Sequence, residues 1–337
     1  MGYNTSLNKI THTFQRYRSL ITDKIHALPI VILMPHSACN CRCVMCDIWQ
    51  GNKNLKQLSE TDLEGLLSSL RKFETQIVVM SGGEALLNRN FFKLCEILRK
   101  EGISITLLST GLSLKQHADD IVKYISEVIV SLDGSETTHD QIRNIPSAFK
   151  KLEEGVKHLK SLHPALRVTA RTVIQSLNFK DWPAIVESAK KMGLNQVSFL
   201  PADVSSQAFN REVQWDEEKK EQVQPALQDL PALKAVIEKL IVDYHAEFNS
   251  GFIAESPEKI RDIYRHYAAS YQLMDFPFKK CNAPWVSTVI EADGTVRHCF
   301  FLESMGNIRT AGLDDLLNAP EAIAFRKKLN TGSNSTC

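Results

Sequence analysis

Net charge is almost missing from this chain: 40 Lys and Arg stand against 39 Asp and Glu, a balance of +1. Such a surface carries no electrostatic footprint for nucleic acid or an acidic membrane, and argues for a small molecule or a peptide as partner. Also missing is any run of the roughly 20 apolar residues that a membrane span takes. The longest candidate, Leu28 to Met34, is interrupted by Pro29 and ended by Pro35. The first thirty residues mix Lys, Arg, Thr and Asn without an apolar signal core, so export is not expected. No internal repeat or low-complexity tract is present. The ten histidines show no ligand spacing, and structural roles are expected for them.

The chain does have material for a core, with 43% hydrophobic residues, and at 337 residues it exceeds one average domain. Its eight cysteines are unevenly spent. Cys39, Cys41, Cys43 and Cys46 fall within eight residues, directly after the apolar run Ile30 to Met34. Thiols used this way hold a soft metal or an iron-sulfur cluster rather than close a disulfide, and clustered reduced cysteines without an export signal indicate the cytoplasm. Cys39, Cys43 and Cys46 read C-x3-C-x2-C, a loop able to wrap three thiolates around one face of a cubane and leave one iron open. An open iron can chelate an amine and a carboxylate together, as a catalytic metal site keeps one position for its substrate. The competing reading is a structural zinc site with Cys41 as fourth ligand, but such sites bring together two separated cysteine pairs.

Along the chain, residues 1 to about 28 read as a polar helical leader. Ile10, Phe14 and Tyr17 give it one narrow apolar stripe, expected to pack against the main domain. Strand-like runs then occur at Ile30 to Met34, Ile77 to Met80, Ile103 to Leu108, Val128 to Leu132, Val168 to Ile174 and Val197 to Leu200. Helix-period segments lie between them: Thr61 to Phe73, Arg89 to Lys100, Leu114 to Tyr124, Ser147 to Leu162 and Trp182 to Lys191. Six successive βα units predict parallel strands covered by helices, as a barrel or a doubly wound sheet. From Trp215 to Phe248 the composition shifts to Glu, Lys, Gln and Ala, a helical linker with a solvated face. The expected organisation is a leader at 1–28, a core at 29–210, a linker at 211–275 and a small α+β module at 276–337.

Other candidates end the strands. Ser81-Gly82-Gly83-Glu84 follows the second, where two glycines let a ligand approach main-chain groups. Ser109-Thr110-Gly111 ends the third. The fourth ends Ser131-Leu132-Asp133-Gly134, whose period of two puts Ser131 and Asp133 on one side. Arg171 lies inside the fifth strand, where a charge must be paired or point into a polar cavity; it is the leading substrate-contacting candidate, against a rim salt bridge. Near the chain's end, Val286 to Glu291, Ala292-Asp293-Gly294 and Thr295 to His298 carry a hairpin signal between Cys281 and Cys299.

These motifs together resemble the radical S-adenosylmethionine family. The resemblance implies an open six-stranded partial (β/α)6 barrel with its site at the carboxyl ends of the strands. Cys39, Cys43 and Cys46 are then ligands of a [4Fe-4S] cluster, with Cys41 a bystander. Gly82, Gly83 and Glu84 are similar to the Gly-Gly-Glu motif that binds the cofactor's amino group, although Ala85 stands where the family commonly has Pro. Ser131, with Arg143 twelve residues on, matches a pair that holds the ribose and the carboxylate, a task suited to a planar guanidinium. Met45, Ser109 and Asp133 join them as cofactor positions, and Leu200 resembles the contact that covers the adenine. Cys281, Gly294 and Cys299 match C-x9-15-G-x4-C, the opening of twitch and SPASM modules, which implies a second, auxiliary [4Fe-4S] cluster with Cys337 as a further ligand.

The activity implied is cleavage of S-adenosylmethionine by the reduced cluster to methionine and a 5'-deoxyadenosyl radical, which abstracts hydrogen from a peptide, protein or small-molecule substrate. An external one-electron donor such as flavodoxin or ferredoxin is the implied partner. The non-enzymatic reading is an iron-sulfur or zinc-binding scaffold or sensor on a barrel, which has no need of the Gly-Gly-Glu and Ser/Arg positions.

Overall fold

The computed structural model describes residues 3–206, 208 and 214–332. Six βα strands form where aliphatic runs predict them: β1 (Ile30–Leu33), β2 (Ile77–Met80), β3 (Ser104–Ser109), β4 (Glu127–Ser131), β5 (Arg167–Ile174) and β6 (Gln196–Pro201). Helices Glu60–Lys72, Phe91–Lys100, Ala118–Tyr124, Ala148–Leu162 and Trp182–Lys191 follow their predicted positions to within a few residues. The first of these shows why. Ser59 accepts from the Asp62 N–H while Asp62 reaches back to Ser59, a reciprocal cap, with Glu60 and Asp62 in the first turn and Arg71 and Lys72 in the last.

The chain divides into two compact units, residues 1–38, 52–106 and 278–337 in one and 39–51 and 107–277 in the other. The N-terminal and C-terminal segments share the first unit through a pairing that is non-local in sequence. In the first unit β1 is parallel to β2 on one side and, on the other, to β7 (Ser287–Ile290), Leu33 facing Met80 and Ile290 in register. The C-terminal strands β8 (Thr295–Arg297) and β9 (Ser304–Asn307) continue antiparallel from β7. The hairpin expected around Asp293-Gly294 therefore forms. Gly294 holds φ +88, and a Cβ there would meet Asn307 Oδ1 at 2.7 Å. Ion pairs Lys56–Asp293, Lys72–Asp314 and Arg309–Asp62 fasten this module to the first helix and its approach.

The leader is a helix, Tyr3–Thr22; the side chain of Ile10 lies outside the described residues, and the other two residues of the expected stripe, Phe14 and Tyr17, do not pack inward. Phe14 and Tyr17 are 59% and 61% exposed, while polar His12 and Ser19 are buried. Sequence periodicity locates a stripe and leaves open which side of the helix the fold covers.

In the second unit β4, β5 and β6 are parallel in order, with Ser131, Arg171 and Ser198 in one row across them. Val128, Val130, Val168, Ala170 and Val197 are buried, and Phe199 meets the Trp182 ring at 5.0 Å on its helix side. The linker is more than a solvated face. Its helices Glu217–Val223, Leu230–Asp243 and Pro257–Ser270 bury Val223, Leu233, Ile237, Leu240 and Tyr267, and Tyr267 Oη accepts from Ala202 N at 2.8 Å. No described helix is long and apolar enough to cross a membrane.

Candidate metal centre

The cysteine loop belongs to the second unit and is itself a core. Cys41, Cys43 and Met45 are buried with Ile142, Ala202, Val204, Trp215 and Val223, and Cys39, Cys46 and Val173 pack against them. Two main-chain bonds hold the loop to the helix Glu136–Arg143: Arg42 N donates to Arg143 O and Val44 N to Ile142 O, each at 3.1 Å. Thr110 Oγ1, past the end of β3, donates to Asn40 Oδ1 at 3.0 Å. From the linker, Trp215 Nε1 donates to Asp47 Oδ2 at 2.6 Å. Sequence reading missed Trp215, Asp47 and Asn40, since no spacing links residues 168 positions apart.

Cys43 is buried and Cys39 and Cys46 are half-buried, so the loop keeps an open side. Among the described residues no three His, Cys, Asp or Glu side chains already converge on one point. The donor set nonetheless fits an iron-sulfur cluster: three thiols and no carboxylate, in a largely apolar shell. Cys41 is buried among them, and side-chain hydrogen bonding with Cys39 and Cys43 pushes its thiol far up. The Cys41 hydrogen bond, with help from Arg143, pulls Cys43 down to about 6 against its burial, while burial pushes Cys46 up to about 12.

Arg143 connects the loop to the barrel. Its Nη1 donates to Cys43 Sγ at 3.4 Å and its Nη2 meets the Asp133 carboxylate, both side chains almost fully buried. Asp133 also accepts from Val173 N at 3.2 Å through Oδ1, and its own N–H donates to His139 Nδ1 at 3.2 Å. Burial pushes the Asp133 carboxyl up against the pull of Arg143, and burial holds neutral His139 down to about 3. The Arg143 Nε is buried with no partner among the described residues. A buried, unanswered guanidinium N–H beside the cluster loop is what a cofactor carboxylate requires.

The other expected positions divide. Ser131 is half-buried at the end of β4 and Leu200 half-buried on β6 opposite Val173. Ser109 is buried, its Oγ accepting from Gly111 N at 3.1 Å. Arg171 is exposed and makes no ion pair among the described residues, so the rim salt bridge finds no support. It lies two residues before Val173 on the same face of β5, about 7 Å along the strand from a side chain packed on the cysteine loop.

In the first unit, Gly82 holds φ +113, and a Cβ there would approach His36 O to 3.0 Å. Gly82 and Gly83 keep part of their backbone open, while Glu84 is buried, its N–H donating to Ala38 O at 2.9 Å and its carboxylate accepting from Leu86 N. The Gly-Gly-Glu turn is thus bonded to the residue immediately ahead of Cys39. In the C-terminal module Cys281 is exposed ahead of β7 and Cys299 half-buried just after β8, at the same end of the antiparallel hairpin. Cys337 lies outside the described residues.

Parallel βα strands, a three-thiol loop that follows β1 and a glycine turn that follows β2 suit an iron-sulfur protein of the partial-barrel type. The chain belongs to the radical SAM superfamily, whose model matches residues 33–200, and an iron-sulfur cluster-binding SPASM domain matches 281–337. The first domain implies a [4Fe-4S] cluster and S-adenosylmethionine, the second further iron-sulfur clusters.

Similar curated proteins include Fe-coproporphyrin III synthase of Methanosarcina barkeri (strain Fusaro / DSM 804), 23% identical over 249 residues that make up 70% of this chain and 61% of that protein. Another is the sporulation killing factor maturation protein SkfB of Bacillus subtilis (strain 168), 25% identical over 159 residues, 47% of this chain and 38% of SkfB. The chain thus spans less than two thirds of the length of these relatives. Among solved structures, Streptococcus suis SuiB bound to S-adenosylmethionine has a TM-score of 0.65 at 14% identity, covering 99% of this chain and 75% of SuiB. Native anSMEcpe with bound AdoMet and Cp18Cys peptide has a TM-score of 0.65 at 19% identity, covering 89% and 83%. These likenesses show the open six-stranded partial barrel followed by a SPASM region.

Proposed function

We propose that this chain is a radical SAM enzyme that abstracts hydrogen from a carboxylate-bearing substrate, a peptide or protein first of all. The cluster and cofactor, when bound, supply reductive cleavage of S-adenosylmethionine with an electron from an external donor such as flavodoxin or ferredoxin. The chain's residues supply the rest. Cys39, Cys43 and Cys46 hold the cluster; Gly82, Gly83 and Glu84 hold the cofactor's amino end; Arg143 Nε meets its carboxylate; Ser131 and Leu200 meet its nucleoside.

The observation that carries the substrate class is Arg171, an exposed guanidinium without an ion pair among the described residues, flanked in register by Ser131 and Ser198 and about 7 Å along its strand from the cysteine-loop core. A fixed fork of donors at that place suits a carboxylate. The peptide-bound SuiB and anSMEcpe structures support a peptide. The longer match to Fe-coproporphyrin III synthase favours, as a second reading, a coproporphyrin, whose propionate side chains are also carboxylates.

The test is anaerobic turnover with acidic peptides, their Asn/Gln counterparts and coproporphyrin, reading 5'-deoxyadenosine formed above the substrate-free rate. An acid-bearing substrate should stimulate the wild type, with KM raised about tenfold or more in Arg171→Gln and partly recovered in Arg171→Lys. Equal stimulation by the amide peptides, or an unchanged KM in Arg171→Gln, removes Arg171 from substrate binding.

A further inference from the structure

The helix Tyr3–Thr22 belongs to the first unit yet turns its apolar side away from it. Phe14, Tyr17 and Ile21 are 59%, 61% and 62% exposed and Leu20 is 42% exposed. At the helical step of about 100° per residue these four span an arc of about 120°. The side that faces the unit is polar. His12 is buried with its ring near Gln76 Nε2 at 3.3 Å, and Ser19 Oγ accepts from His26 N at 2.9 Å. The orientation is fixed at the helix end as well. Asp23, at φ +57, receives Arg326 Nε at its carbonyl (2.6 Å) and Trp285 Nε1 at its carboxylate (2.8 Å), while Ile25 N donates to Asn318 Oδ1 at 2.7 Å.

Charge on this helix is one-sided. Its sequence holds Lys9, Arg16 and Arg18 and no Asp or Glu. By the same helical step, exposed Arg16 and Arg18 fall at the two edges of the apolar arc, where long cationic side chains reach headgroups while the arc enters the acyl boundary. Near-neutral overall composition conceals this, because the balancing acids lie elsewhere in the chain.

We propose that this arc docks the protein on an anionic lipid surface, with the helix lying in the plane of the interface rather than crossing it. Two arguments select this occupant. A second copy of the helix would bring arginines against arginines around its rim, whereas anionic headgroups complement them. An aromatic pair with a tyrosine hydroxyl, outward on a basic helix, also has the composition of an interfacial segment.

The experiment is co-sedimentation of the full chain, reconstituted with iron and sulfide, with phosphatidylcholine vesicles with and without phosphatidylglycerol. The wild type should bind the phosphatidylglycerol vesicles and release them as salt rises. Phe14→Ser/Tyr17→Ser/Ile21→Ser should bind more than about tenfold more weakly, with wild-type far-ultraviolet circular dichroism and 5'-deoxyadenosine formation. Arg16→Gln/Arg18→Gln should lose the preference for phosphatidylglycerol. No binding by the wild type, undiminished binding by the triple variant, or a wild-type dimer that the triple variant dissociates overturns the proposal.

Discussion

Removing Arg143 should damage the fold before it damages the chemistry. The guanidinium faces Asp133 with side-chain exposures of 8% and 0%, so Arg143→Ala leaves a carboxylate inside the protein with, among the described residues, only the Val173 N–H donating to it. Breaking a buried pair by taking one partner costs about 3 to 5 kcal/mol, against a total stability of about 5 to 15 kcal/mol for a typical domain. The contact of Nη1 with Cys43 Sγ at 3.4 Å disappears as well, but the two losses share one side chain and are not additive. Urea unfolding of the metal-free protein under anaerobic conditions, followed by near-ultraviolet circular dichroism, measures the loss. Replacing both charges, as Asp133→Asn/Arg143→Met, removes the stranded carboxylate and should recover most of it, to within about 1 to 2 kcal/mol of wild type. An Arg143→Ala protein within about 0.5 kcal/mol of wild type would refute the reasoning, because that is the range of a surface substitution.

His139 is buried and held down to about 3 from its ordinary 6.5. The unfolded chain takes up a proton that the folded chain refuses, so stability is full above pH 6.5 and falls by about 1.4 kcal/mol per pH unit as pH drops toward 3; His139→Asn should flatten that decline in urea titrations. Arg309 hydrogen bonds hold Asp62 down to about 2 from 3.8. Asp62→Asn, which also loosens the Ser59 cap, should cost about 1 kcal/mol at neutral pH, and the difference should vanish as pH falls from 3.8 to 2, a depressed carboxylate losing its contribution there. Iron analysis should find about eight irons per chain, about four of them surviving in Cys39→Ala/Cys43→Ala/Cys46→Ala; a folded, iron-free triple variant would deny the auxiliary cluster.

The strands and the cysteine loop were legible because their signals are contiguous: Ile77-Val78-Val79-Met80 reads as a strand by itself, and C-x3-C-x2-C is complete within eight residues. What was not legible depends on partners distant in sequence. Arg143 was found by its separation from Ser131, but its neutralisation by Asp133 and its contact with Cys43 exist only once the short helix Glu136–Arg143 folds back on the loop. The β1–β7 pairing, which ties the C-terminal hairpin to the first strand, has no local trace, and neither does the bond from Trp215 to Asp47. Phe14 and Tyr17 of the leader's stripe face outward rather than inward, since burial there is decided by His12, Ser19 and the clamp on Asp23 rather than by periodicity.

The central claim, that this loop drives radical chemistry on S-adenosylmethionine, is tested most directly by reducing the iron-replete protein anaerobically with the cofactor and measuring 5'-deoxyadenosine and methionine by chromatography beside Cys43→Ala. Cys43 is the buried thiol at the Arg143 contact. The account predicts both products from the wild type, even without a substrate, and none above background from Cys43→Ala. Wild-type protein that yields no 5'-deoxyadenosine, or a variant that yields as much, contradicts it.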